Sequence, residues 1–438
     1  MLIFHKNVVD LHTVFIFTFK QKQYRQRMHI AVIGAGAAGC FAAIGIKRRL
    51  PEADVTIYEG GKRQLAKVSV TGGGRCNLTN SFNQVKSLAH IYPRGERLMK
   101  RLLKGFSHTD AYEWFENEGV RLTTQEDECV FPVSQDAMEI VNTLTQIINR
   151  LGIRLLTGHR VELISHDKEN GKYSLRFGGN RSSATADCVV VAIGGTPAAS
   201  QLNMFSPLDI ITENPVPSLF SMCLPGDGIT KLMGTVVEEA TTSIPGTKFK
   251  ADGPLLITHW GMSGPAILKL SSHAARFLHE HEYKTDICIN WCGGRKAEEV
   301  TEELSAISAS NTKKQLASAY PPHLNARLWQ HLIERSQVNP QLRWGELQRK
   351  GLNKLVNTLT ADIRRVDGKC RFKEEFVTCG GVSLKNVNHS TLESKDHDGL
   401  YFAGEVLDVD AVTGGFNLQA AWTMGHTVAV AIEKKYKN

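Results

Sequence analysis

MHIAVIGAGAAGCFAAIGIKRRLPEADVTIYE, residues 28–59, has the layout of a first βαβ unit built to hold a dinucleotide. Residues 29–33 read as a short apolar strand, GAGAAG at 34–39 as the turn, 38–50 as a helix, and 55–58 as a second strand closed by Glu59. Gly34 permits the tight turn. Gly36 lets the backbone approach a pyrophosphate with no Cβ in the way, and Gly39 lets helix and strand pack closely. The helix start at Ala37 and Ala38 turns exposed amides and partial positive charge toward the phosphates. Glu59 lies about 25 residues beyond Gly34, where the rule of thumb is about 20, and can accept hydrogen bonds from a ribose diol. An acid there repels a 2′-phosphate, so NADP is disfavoured in this pocket.

At 438 residues the chain is too long for one core and implies two or three domains. Hydrophobic residues make up 42% and charged residues 22%, as in a soluble globular protein. No run approaches the roughly 18 to 20 apolar residues of a membrane span, so no membrane association is expected. The formal charge of +8 is half local. Lys6, Lys20, Lys22, Arg25 and Arg27 against Asp10 leave +4 on residues 1–27, and the remaining +4 gives little support to a nucleic-acid partner. Residues 1–27 fit neither a signal peptide nor an anchor, because the basic residues mostly follow the apolar stretch and no small-residue cleavage site appears. They read as a start assigned too far upstream or a disordered extension.

Nine cysteines at irregular spacing, with no CxxC, indicate neither a disulfide framework nor a zinc site. No metal is expected, and the default location is the cytoplasm. Further along, 95–105, 109–118 and 134–151 read as helices, 160–166 with 173–177 as a hairpin, and 187–193 as a strand buried on both faces. From 206 to 249 proline and glycine punctuate short β-like segments, 255–263 (LLITHWGMS) reads as one strand, and 296–363 is charged and helical in pattern. Glycine-rich sequence returns after Phe372. The organisation expected is an α/β, Rossmann-like nucleotide-binding domain built from both chain ends, 28–204 and 366–438, around a mixed insert at 205–365.

LYFAGE at 400–405 delivers Gly404 and Glu405 at the end of a short strand, in the crevice where α/β sheets bind ligands. Glu405 beside a pyrophosphate would accept a hydrogen bond from a polyol hydroxyl. The ribityl chain of FAD has such hydroxyls, and NAD does not. Gly414-Gly415 then open a helix over 418–432, whose exposed amides suit the pyrophosphate or a flavin gaining negative charge.

The chain resembles the bacterial flavoprotein family of aminoacetone-oxidase-like or bile-acid-reductase-like NAD(P)/FAD-dependent oxidoreductases. The resemblance spans 28 to about 427. It rests on GAGAAG with Glu59, GGGRCNLTN at 72–80, VVVAIGG at 189–195, THWGMSGPAIL at 258–268, VTCGGVS at 377–383 and YFAGEVLDVDAVTGGFNLQ at 401–419. It implies a two-part FAD domain with an inserted β-barrel and helical subdomain. It further implies that Arg75 and Asn77 lie along the pyrophosphate or flavin edge, that Val161 contacts adenine through its backbone, and that Asp408, Gly415, Asn417 and Leu418 face the isoalloxazine and ribityl region. Gly60, Lys67, Gly74, Cys76, Thr79, Ala192, Gly194, Gly195 and Phe416 complete the expected cofactor contacts along the same motifs. The run TPAASQLNMFSPLDI at 196–210 departs from the glycine-rich continuation common in the family, so the entrance to the insert is expected to differ.

Cys76 has no partner cysteine nearby, which argues against disulfide reductase chemistry. No second GxGxxG occurs, so NAD(P)H would dock transiently over the flavin, or electrons would come from an organic substrate and go to oxygen or a carrier. His259 and His426 invite an acid–base role, but a single histidine on an apolar element is more often satisfied by its neighbours. No catalytic acid or base and no oligomeric state can be read. The expected function is FAD-dependent hydride transfer between flavin N5 and a small or medium organic substrate; the alternatives are a flavin-dependent RNA-modifying enzyme and a non-catalytic flavin or nucleotide sensor.

Overall fold

The strand His29–Ile33 lies at the centre of a five-stranded parallel sheet in a computed structural model that describes residues 27–195, 199–370 and 377–437. The sheet runs Leu400–Phe402, Cys188–Val191, His29–Ile33, Asp54–Tyr58, Arg154–Leu156. Ile30 pairs with Cys188 on one side and Val55 on the other, and Val189 pairs with Leu400. All four residues of Cys188–Val191 are buried, as expected of a parallel strand covered on both faces. The carboxyl ends of three strands therefore release Gly34, Ala192 and Ala403 along one edge of the sheet. The expectations for residues 1–26 lie outside the described residues.

The first helix, Ala37–Arg49, and the last, Phe416–Tyr436, pack closely enough that a Cβ on Gly45 would come within 2.8 Å of Ala429 Cβ, and one on Gly425 within 2.8 Å of the Ala38 carbonyl oxygen. Both chain ends thus build one layer over the sheet. The expected hairpin is present as Val161–Asp167 and Lys172–Phe177, with Ala184–Ala186 as a third strand.

A second sheet of six strands carries the insert, in the order Met222–Cys223, Gly261–Ser263, Lys250–Ile257, Val236–Ser243, Lys284–Asn290, Asp362–Asp367. A bridge between Met222 and Lys369 brings its two edges together into a nearly closed barrel. Helices Ala297–Ser310, Ala326–Arg335 and Arg349–Thr360 pack beside it around Trp291, Trp329 and Trp344. The apolar run at 255–263, expected as a single strand, is two strands. Thr258 and Gly261 close a turn between them, where a Cβ on Gly261 would strike the Met222 carbonyl. Barrel and parallel sheet keep separate apolar cores.

Two strands join the domains. Thr212–Ser218 runs antiparallel to Val377–Val382, and Ser218 faces Val377. Among the described residues no helix is long and apolar enough to cross a membrane.

Candidate functional site

Gly34 has φ +105°, and a Cβ there would lie 2.7 Å from the Ala192 carbonyl carbon and 2.9 Å from Ile193 Cα. The turn therefore presses directly against the neighbouring strand end. Gly36 differs: a Cβ there would meet nothing within 4 Å. The protein fills no space over Gly36, which is what a pyrophosphate lying on the helix start requires.

Glu59 is fixed by the backbone. The Ala35 N–H donates to its Oε2 at 2.8 Å and the Gly61 N–H to its Oε1 at 2.6 Å. Each oxygen keeps a lone pair for a ribose hydroxyl. We expect Glu59→Ala to weaken FAD binding about tenfold or more, since a hydrogen bond to a charged acceptor contributes about 1.5–3 kcal/mol; a flavin fluorescence titration measures it.

Two cavities meet at Gly34, Glu59 and Ile193. One, of about 390 Å3, is lined by Gly60, Val161, Gly195, Arg160 and Gln201, and suits the adenosine end. The other, of about 460 Å3, extends past Gly36, Ala37, Ala38, Lys67, Asn77, Ala192 and Gly194 to Gly404, Glu405, Gly415, Asn417 and Leu418. Lys67 Nζ donates to Glu405 Oε2 at 2.8 Å, and the Thr378 N–H donates to Oε1 at the same distance. Glu405 thus enters the wall as half of an ion pair.

At the far end Gly415 has φ +87°, and a Cβ would lie 2.7 Å from the Asn77 side-chain amide and collide with the Thr79 carbonyl. With its amide oriented by its neighbours, Asn77 donates to the Thr79 carbonyl at 3.0 Å and accepts from the Gly415 N–H at 3.2 Å. Asn417 clamps the preceding loop, accepting from the Ala411 N–H and donating to its carbonyl, both at 2.9 Å. GGGRCN and TGGFN are therefore one joint, which opens the N-terminus of Phe416–Tyr436 toward the cavity.

The remaining expected contacts line neither cavity. Gly39 packs beneath the turn, against the Gly34 carbonyl. Gly72, Gly73 and Gly74 all have positive φ, and this left-handed run carries Arg75 outward, where its guanidinium covers the Phe131 ring 4.4 Å from its centre. Cys76 is buried and its thiol is pushed up to about 12 by burial, which makes it inert. Thr79 Oγ1 donates to Gln419 in the interior, and the Phe416 ring packs edge-on to Phe82. Asp408 accepts from the Gly380 N–H at 2.9 Å and lies 3.5 Å from Arg276; burial raises its pKa.

The sequence reading missed the apolar wall of the larger cavity: Leu219 and Leu268 from the insert side, with Val377, Val409 and Val412. None of these carries a motif signal on its own. His426 stacks on Phe106 with ring centres 4.5 Å apart, away from both cavities. Burial first, and then Arg49, lower its pKa from 6.5 to about 4, with Asp110 opposing. A histidine held neutral in the fold contributes stability that is present above about pH 6.5 and lost as pH falls toward 4. Melting temperature should fall over that window, and less steeply in His426→Phe; an unchanged slope would remove His426 as a cause. His259 is exposed, beside Trp260, and lines neither cavity. No group of three metal-ligating side chains occurs among the described residues.

A parallel sheet assembled from both chain ends, open space over Gly36, a carboxylate fixed by backbone amides at the end of the second strand and a second helix start facing one cavity fit a flavin-dependent oxidoreductase. A family model described as the HI0933-like protein Rossmann domain matches residues 28–431, and the chain belongs to that family. Similar proteins include a 3-dehydro-bile acid delta(4,6)-reductase of Clostridium scindens, 27% identical over 93% of this chain and 99% of that one. A ribosomal RNA dihydrouridine synthase of Haemophilus influenzae is 26% identical over 92% of this chain and 98% of that one. Among solved structures, a 3-ketosteroid-delta4-(5alpha)-dehydrogenase of Rhodococcus jostii covers 94% of this chain and 98% of its own, with 14% identity and a TM-score of 0.49.

Proposed function

We propose that the protein is a cytoplasmic enzyme that seats FAD along this cleft and passes a hydride between flavin N5 and a small or medium organic substrate under the insert. One observation carries the reading: the cavity that begins over Gly36 continues to Gly415 and there acquires an apolar wall from Leu219 and Leu268. Such a wall excludes water and offers contact area to a carbon skeleton. Bound FAD supplies the two-electron chemistry. The chain's own residues position it. Glu59 takes the ribose, the amides from Gly36 to Ala38 face the phosphates, and the helix start after Gly415 offers partial positive charge. We take the flavin domain as 28–204 with the chain after the barrel strand Asp362–Asp367, and the insert as running from 205 through that strand, two residues beyond the expected bound of 365.

The names of the two relatives share a reaction type. A delta(4,6)-reductase and a dihydrouridine synthase each saturate a carbon–carbon double bond. We extend that type to this chain, with NAD(P)H as a transient donor. The purified protein should be yellow, and its reduced form should be reoxidised without oxygen by a steroid enone. A protein still colourless and flavin-free after FAD reconstitution refutes the reading.

A second reading has its own support. Ribosomal RNA dihydrouridine synthases from two bacteria, Haemophilus influenzae and Escherichia coli, match 92% and 91% of the chain. In that reading a uridine base enters the same cavity. Anaerobic reoxidation by ribosomal RNA transcripts, and not by enones, would select it.

A further inference from the structure

Cys223 and Cys370 are 147 residues apart in sequence, yet their Sγ atoms stand 2.9 Å apart. Both are free thiols and only partly buried, as is Cys288, whereas Cys40, Cys76, Cys129, Cys188, Cys292 and Cys379 are buried. Backbone pairing fixes the approach. The Cys370 N–H donates to the Ser221 carbonyl at 3.0 Å and the Cys223 N–H to the Gly368 carbonyl at 2.9 Å, on either side of the Met222–Lys369 bridge. The two thiols are thus diagonal neighbours across an antiparallel pair, and their sulfurs stand about 0.9 Å farther apart than a disulfide bond of about 2.05 Å.

Their place in the fold gives the contact a consequence. The same two chain segments, farther from the barrel, are the paired strands Thr212–Ser218 and Val377–Val382 that join insert to flavin domain. Leu219, which follows the first of these strands, and Val377, which begins the second, line the larger cavity.

We propose that Cys223 and Cys370 are a modification site: a dithiol that closes to an intramolecular disulfide by exchange with a small-molecule disulfide, stapling the two strands that enter and leave the insert. One thiolate attacks the small disulfide, releasing one small thiol and forming a mixed disulfide. The second thiolate then displaces the other small thiol. Two protein thiols are oxidised, one small disulfide is reduced to two thiols, and two protons pass to solvent or to the departing thiolates. Burial and the adjacent Cys223 sulfur raise the pKa of Cys370. The staple links the segment that follows Leu219 to the segment that ends the barrel at Cys370.

The full-length protein, reduced and then held at graded ratios of oxidised to reduced glutathione, is alkylated, digested and mapped by mass. The expected result is a peptide pair joined through Cys223 and Cys370, lighter by two hydrogens, at ratios where the six buried cysteines remain unlinked. Cys223→Ser and Cys370→Ser, tested separately, each remove the joined peptide and leave a glutathione adduct on the remaining thiol. In the oxidised protein, amide exchange slows in peptides covering 219–224. Alkylation of both thiols at every ratio overturns the proposal, as does a stable glutathione adduct in place of the link in the unaltered protein. None of these readouts depends on bound flavin, so failure here is separate from failure of the redox function.

Discussion

Gly36→Glu yields a folded but colourless protein. A Cβ at residue 36 meets no protein atom within 4 Å, and the backbone there, φ −83°, suits any residue, so the substitution does not strain the backbone. The new carboxylate instead occupies the ground in front of the helix start, where it takes the amides meant for phosphate and repels the cofactor's charge. We expect FAD affinity to fall at least about 100-fold, or about 2.7 kcal/mol, with an unchanged melting temperature of the flavin-free form. Gly34→Ala is the informative contrast. Its Cβ collides with backbone at Ala192 and Ile193, and its φ of +105° disfavours any L side chain. That variant should lose stability before it loses flavin. A yellow Gly36→Glu protein would sink the assignment of the first turn.

Arg94→Ala should unfold the joint between the domains. Arg94 makes a two-pronged ion pair with Asp410, whose side chain is fully buried, and its Nη1 donates to the Ser272 carbonyl at 2.8 Å. Ser218 Oγ donates to the same carboxylate at 2.9 Å. The pair therefore ties the loop after GGGRCN, the GEVLDVD stretch and the insert to one point. Removing the guanidinium leaves an uncompensated buried carboxylate, at an expected cost of about 3–5 kcal/mol in chemical denaturation. Replacing both partners with apolar residues, Arg94→Met with Asp410→Leu, should recover much of that loss. If the single and double variants are equally unstable, the charge pair is not the cause.

The βαβ unit was legible because its signals are local. Apolar period, glycine spacing and an acid after the second strand all lie within 32 residues, and the observed helix Ala37–Arg49 departs from the expected 38–50 by one residue at each end. Leu400–Phe402 was legible for the same reason. The joint of Asn77 with Gly415 could be suspected from two motifs but not drawn, since it depends on the chain returning. Arg75 shows the limit of reading by charge. Its neighbours Gly72 to Gly74 set its direction, and they turn it onto Phe131. Partners such as Arg94 with Asp410, 316 residues apart, and Cys223 with Cys370 leave no trace in spacing. The break in 255–263 escaped because an apolar run reads alike whether it is one strand or two joined by Thr258 to Trp260.

The strand Leu400–Phe402 and the helix Phe416–Tyr436 close a layer begun at His29. During synthesis, then, the barrel between them can finish while the parallel sheet still lacks its edge strand and its covering helix. The nascent chain must carry an open, apolar sheet past the ribosome exit until the last forty or so residues emerge. Cofactor loading is therefore expected only after Glu405 and Gly415 have emerged, because both line the cavity.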